Sequence, residues 1–235
     1  MISSLFVNKI KFTLVFIVFL LSDIFVKIYS NNLSYRFVSK PFILFSLIAF
    51  YYYNTRCNGR KVEKNVLLAL LFFLLGDFAI LNSMNNFFLF LSILFFAIGK
   101  VFFCLKFKNK EDFEYSRLFP FSLGIYIFVT FIISVIYKNL QSFFIPAMLT
   151  LFISLVMLNL AYLRKGQFSK WSYICVLMGC LLFVFVEGVN AISTFNKVLL
   201  FPYFLIMISY GVSVYLIVLG ITLEGNKEAF LDNKT

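Results

Sequence analysis

The chain has no histidine among its 235 residues. That removes the commonest general base, the commonest metal ligand and every Ser-His or Cys-His pair. Charge is also scarce: 13% of residues are Asp, Glu, Lys or Arg, about half the ~25% of an average soluble domain. No Pro-, Gly- or Ser-rich stretch divides the chain, and no internal repeat argues for the inverted symmetry of many transporters. Cys57, Cys104, Cys175 and Cys180 are scattered and form no paired ligand motif, so they read as small apolar residues. Neither a metal nor a cofactor is expected.

What is present is apolar. Hydrophobic residues make up 62% of the chain, 35 of them Phe, and the mean hydropathy is +0.96. An interior of this size cannot hide so much apolar side chain, which points to an integral membrane protein. A bilayer core needs about 20 mostly apolar residues per helix. Eight segments meet that need: Phe12–Ile28, Pro41–Tyr53 (with its start drawn back to Val38), Asn65–Asn82, Phe87–Phe107, Phe119–Tyr137, Phe143–Leu163, Trp171–Ile192 and Val198–Ile221. A β-barrel would alternate apolar and polar residues, and the run Val66–Phe73 does not. The expected fold is all-α, a polytopic transmembrane bundle of about eight helices forming a single domain over 1–235. The first segment reads as a retained helix, because Asp23 and Lys27 stand where a signal peptide would be cleaved.

Basic residues set the orientation. Fifteen of the 21 lie on one side of the eight spans, from Lys9 to Lys234. Lys27, Arg36, Lys40, Lys138 and Lys197 lie on the other, and Lys100 falls inside a span. The positive-inside rule then places both termini in the cytoplasm. The net charge of +11 reads as membrane orientation, and no nucleic-acid partner is expected. The longest mixed-charge stretch, Lys106–Arg117, reads as a solvated loop. A composition heavy in Phe, Ile, Lys and Asn points to a bacterial inner membrane. Oligomeric state is not legible.

Ionisable residues inside a span cost about 2.5–3.5 kcal/mol on insertion scales and face the bundle interior. Asp23, Asp77, Lys100 and Glu187 are such residues, and the last three each adjoin a glycine. With the N-terminus inside, Asp77 and Glu187 fall in the outer half, and Lys100 lies deeper with its side chain directed outward. Asn190 is one turn beyond Glu187, and Tyr203 and Tyr210 share a face of the last span. Asp23 and Lys27 are spaced as an i,i+4 ion pair. Two readings stand side by side. Asp77, Lys100 and Glu187 form an ionic network holding helices together, or they line a pocket that opens outward. In the second reading Lys27, Arg36 and Lys40 bind a lipid phosphate at its mouth; otherwise they are interfacial anchors.

Several of these residues carry a resemblance. Lys40-Pro41, then Leu75-Gly76-Asp77, then Phe96 followed four residues later by a polar residue, are similar to motifs of the YhhN family of membrane proteins. So are Gly179–Phe183 leading to an acid at position 187, and an aromatic-rich last helix with Tyr210. The resemblance runs from about Lys40 to Tyr215. It implies an eight-helix enzyme of the lysoplasmalogenase type, which hydrolyses the vinyl ether of a lysoplasmalogen. Where the family has His and then Tyr three residues on, this chain has Lys100 and Phe103; where it has Ser-Asp, this chain has Val186-Glu187. Val214 stands where a Gln is common.

Enol-ether hydrolysis needs a carboxylic acid to protonate the vinyl β-carbon and a carboxylate to stabilise the resulting oxocarbenium ion. Two acids in unlike environments supply both, as in glycoside hydrolysis. Asp77 and Glu187 are the expected pair, with Lys100 keeping one ionised; which acid holds the proton stays open. Arg36, Lys40, Asn190, Tyr203 and Tyr210 are the expected substrate-binding residues, and the expected partner is a lysophospholipid in the membrane. The alternative is a non-catalytic relative or small transporter that binds a lipid or coupling ion at Asp77, Lys100 and Glu187.

Overall fold

A computed structural model of the chain describes residues 6–29, 33–108, 115–136, 144–195 and 202–224. Lys110, Lys138, Lys197, Lys227 and Lys234 of the charge pattern, and residues 109–114 of the Lys106–Arg117 loop, lie outside the described residues. The regular structure described is helical: α1 (Lys9–Tyr29), α2 (Leu33–Cys57), α3 (Lys64–Leu81), α4 (Asn86–Phe107), α5 (Tyr115–Ile136), α6 (Phe144–Leu163), α7 (Lys170–Phe195) and α8 (Pro202–Thr222). Among the described residues, five helices, α1, α3, α4, α7 and α8, are long and apolar enough to cross a membrane. Shorter apolar stretches, Leu118–Phe131 and Met148–Leu163, lie within α5 and α6. The protein is an all-helical integral membrane protein. Helices satisfy every backbone polar group internally, which lipid demands.

Residues of α1 display how an apolar helix is used here. Phe12, Phe16, Leu20, Asp23 and Ile24 are buried, a stripe at helical spacing against α2, where Phe12 stacks on Phe50 with ring centroids 4.1 Å apart. The opposite face, Leu14, Val18, Leu21 and Phe25, is equally apolar yet exposed. A helix apolar all round, half of it uncovered by protein, suits lipid.

Helix α2 is the exception in composition. It begins at Leu33 and contains Pro41 in its interior, whereas the apolar run alone suggests a start at Val38 to Pro41. The added turn, residues 33–37, carries Arg36 on a helix whose polar face is partly buried, so a hydropathy criterion misses it. Pro41 lacks an N–H for the Phe37 carbonyl, a loss that membrane helices tolerate when neighbouring groups compensate. The C-terminus of α2 is closed by a Schellman arrangement: Gly59 N–H donates to Arg56 O and Arg60 N–H to Thr55 O, both at 3.0 Å. Gly59 has a φ of 66°, which a side chain would resist. Glu63 N–H then donates to Tyr51 Oη at 3.1 Å, tying the start of α3 to α2.

The chain divides into two compact units, Met1–Phe103 and Cys104–Thr235, with the boundary inside α4. In the first unit α2 packs against both α1 and α3, and Phe73 of α3 contacts Phe96 and Phe103 of α4. In the second, α7 and α8 form the most intimate pair, and α5 and α6 pack on α7. A Cβ on Gly220 would lie 2.9 Å from Ser172 O and 2.5 Å from Val176 Cγ2. Ser172 Oγ donates to Gly220 O at 2.7 Å. The ends of the helices in this unit are joined by charge. Lys106 Nζ lies 2.8 Å from Glu224 Oε2, and Arg164 Nη2 pairs with Glu224 Oε1. The Arg164 guanidinium, 2% exposed, also lies between two rings, 5.0 Å from the Phe107 centroid and 4.6 Å from that of Phe168.

Candidate functional site

The polar residues of the first unit converge on α2. Consecutive residues of an α-helix point about 100° apart, so neighbours in sequence on a central helix reach different partner helices. Ser39 turns to α1, where its hydroxyl donates to Asp23 Oδ1 at 2.6 Å. Lys40 turns to α3, where its Nζ lies 3.1 Å from Asp77 Oδ1. The Asp77 side chain is 2% exposed and that of Lys40 14%, so the lysine reaches the edge of the bundle and the acid does not. Asp23, expected only as the partner of Lys27, is buried and becomes a second carboxylate within this unit. Lys27 lies within electrostatic reach of Arg36 and Lys40 as well as Asp23.

Glycines beside the charged residues explain how the carboxylate is aimed. A Cβ on Gly76 would lie 2.9 Å from Phe96 Cε1, and one on Gly99 2.5 Å from Phe73 Cδ1. Rings fill both hollows, which locks α3 to α4 through the residues preceding Asp77 and Lys100. One residue on, Asp77 is rotated from the α4 side toward Lys40 of α2. Lys100 is buried on α4. Sequence reasoning placed Lys40 at the membrane surface and did not pair it with Asp77; Ser39 it did not single out at all. The available signal was the dipeptide Ser39-Lys40, two polar residues in succession on a helix flanked by two acid-bearing helices.

The remaining expected residues belong to the second unit. Glu187 on α7 is half-buried. Phe183, one turn before it, meets the Tyr210 ring of α8 edge-on at 5.9 Å. Asn190 is exposed and Tyr203 is 64% exposed. Asp77, Lys100, Lys40 and Arg36 are thus gathered in one unit, and Glu187 and Tyr210 in the other.

Composition and helices together define a polytopic membrane protein whose first unit holds a lysine-bound carboxylate away from solvent. The YhhN family model matches residues 35–221, most of the chain, and the chain belongs to the YhhN family. No curated protein and no solved structure matches it. The matched stretch includes Arg36, Lys40, Asp77, Lys100, Glu187, Asn190, Tyr203 and Tyr210, while α1 with Asp23 and Lys27 precedes it.

Proposed function

We propose that the protein is an integral membrane hydrolase of the lysoplasmalogenase type, acting on the vinyl ether of a lysophospholipid. Family membership supports this reading, and one observation carries it: a carboxylate, Asp77, held on a lysine at 3.1 Å inside an apolar bundle. A buried carboxyl group is one of the two that enol-ether hydrolysis requires.

The reaction adds water across the R–CH=CH–O–R′ bond. A carboxylic acid gives its proton to the β-carbon, the α-carbon becomes an oxocarbenium ion, and water attacks it while losing a proton to a carboxylate. The hemiacetal collapses as the ether oxygen takes a proton, releasing R–CH₂–CHO and the glycerophospho-alcohol. Asp77 and Glu187 are the acids assigned to these roles, and Lys100 the cation that tunes their ionisation. Asp23 competes for the carboxylate role, because Ser39 and Lys40 bind Asp23 and Asp77 from adjacent positions. Arg36 and Lys40 are assigned to the phosphate, and Asn190, Tyr203 and Tyr210 to the rest of the lipid. With both termini in the cytoplasm, in a bacterial inner membrane, the Asp77 end of α3 belongs to the outer half.

Purified protein in lipid nanodiscs, given a lysoplasmalogen, is expected to release fatty aldehyde, and to leave the saturated alkyl-ether analogue intact. Lipid binding without aldehyde release would instead favour a non-catalytic relative.

A further inference from the structure

We propose that Lys40 is a hand-over residue. The phosphate of the lipid binds among Lys27, Arg36 and Lys40, draws the Lys40 ammonium off Asp77, and so lets Asp77 take up the proton it delivers to the substrate. This rests on the hydrolase reading above and assigns Asp77 as the acid.

Four observations carry it. Lys40 is the partner on the pair that reaches the edge of the bundle, with a side chain 14% exposed against 2% for Asp77. A lysine ammonium on a flexible four-carbon stem can change partners without moving the backbone. The backbone at this point is anchored, because the adjacent Ser39 is hydrogen-bonded to Asp23 at 2.6 Å. Three cations, Lys27, Arg36 and Lys40, are gathered around two carboxylates, Asp23 and Asp77, and Lys100 adds a further buried positive charge to the unit. An incoming anion therefore meets excess positive charge. Finally, Arg36 Nε is buried and has no hydrogen-bond partner among the described residues, leaving a donor suited to a phosphate oxygen.

The exchange conserves charge. Before it, the Lys40 ammonium faces the Asp77 carboxylate. After it, the ammonium faces a phosphate oxygen, and Asp77 has taken one proton from water. One negative charge and one proton enter together. Asp77 then protonates the vinyl β-carbon, and the water that attacks the oxocarbenium ion returns a proton to the protein. Binding of a remote, unreactive group thus readies the acid, a use of binding energy that appears in kcat.

The test compares an alkenyl-glycerophosphoethanolamine with the alkenylglycerol that lacks its phosphate. Wild-type protein is expected to turn over the phosphate-free substrate with a kcat lower by about ten-fold or more, a part of the roughly 10²–10⁴-fold that a positioned general acid contributes. Recovery of this rate by added inorganic phosphate assigns the site to phosphate in general, and no recovery confines it to the lipid headgroup. Lys40→Gln is expected to erase the kcat difference and raise KM for the phosphate-bearing lipid, whereas Lys40→Arg, which keeps the charge, retains the preference. Equal kcat values in the wild type, or an undiminished preference in Lys40→Gln, would overturn the proposal. Infrared difference spectra stand apart from turnover. A saturated alkyl lysophospholipid should produce a protonated-carboxyl band that alkylglycerol does not, and that Asp77→Asn lacks. If no aldehyde is released but the band appears, the hydrolase reading fails and the hand-over stands; absence of the band overturns the hand-over.

Discussion

In the first unit Asp77 pairs with Lys40, a lysine at the edge of the bundle. Glu224 in the second meets Lys106 and Arg164, and the arginine is itself held between Phe107 and Phe168. Both acids are shielded from solvent by apolar helices, yet the two arrangements suit different work. Glu224 has one cation on each oxygen, at a place where three segments end, so its charge is pinned and its loss strands two positive groups. Asp77 is bound by a lysine whose side chain is 14% exposed. A buried acid is useful for proton transfer when its counter-charge can be exchanged, and useful for holding helices when it cannot.

The largest effect expected from breaking this contrast is on activity. Asp77→Asn should lower aldehyde release by about 10²–10⁴-fold, the range for a lost general acid, with little change in thermal stability, since Lys40 keeps an oxygen acceptor. Retained turnover in this variant would remove Asp77 from the mechanism. Glu224→Ala should do the reverse. Leaving Arg164 and Lys106 without their acid is expected to cost about 3–5 kcal/mol, read as a lowered unfolding transition in detergent. A Glu224→Ala protein as stable as wild type would show that the second cluster holds nothing together.

Smaller effects sharpen the picture. Gly220→Ala places a methyl against Ser172 O and Val176 Cγ2 and is expected to cost about 1–3 kcal/mol of stability through overpacking between α7 and α8. A lowered unfolding transition in detergent checks this, and an unchanged one would show that α7 and α8 accept a methyl at Gly220. Ser39→Ala removes the donor on Asp23 and is expected to cost about 1–3 kcal/mol, because a buried acceptor loses its partner. Should Ser39→Ala also raise KM for the phosphate-bearing lipid, Ser39 is what keeps Lys40 in register.

How much of this was legible in the sequence varies by residue. The extents of α1, α3, α4, α6 and α7 follow from apolar runs, since a lipid-facing helix must be apolar throughout. The first residues of α2, before Val38, do not follow, because Arg36 interrupts the run while remaining helical and partly buried. Asp77 stood out as an acid in a span, and its neighbour Gly76 announced the close approach of α4. The partner did not: Lys40 lies 37 positions away in sequence, and only the packing of α2 between α1 and α3 brings it to Asp77. The spacing of Asp23 to Lys27 follows a local rule, and the tertiary bond from Ser39 to Asp23 lies beyond that rule. Arg164 and Glu224 look like ordinary border charges until the helix ends they occupy are brought together.

The fate of the transferred proton tests the role of Asp77 most directly. Wild-type protein and Asp77→Asn should be incubated with lysoplasmalogen in deuterium oxide and the released aldehyde analysed by mass spectrometry. Carbon protonation predicts one deuterium on the carbon next to the aldehyde group at early times, formed rapidly by the wild type and not above background by the variant. Label-free aldehyde, or equal labelled release from both proteins, would contradict it.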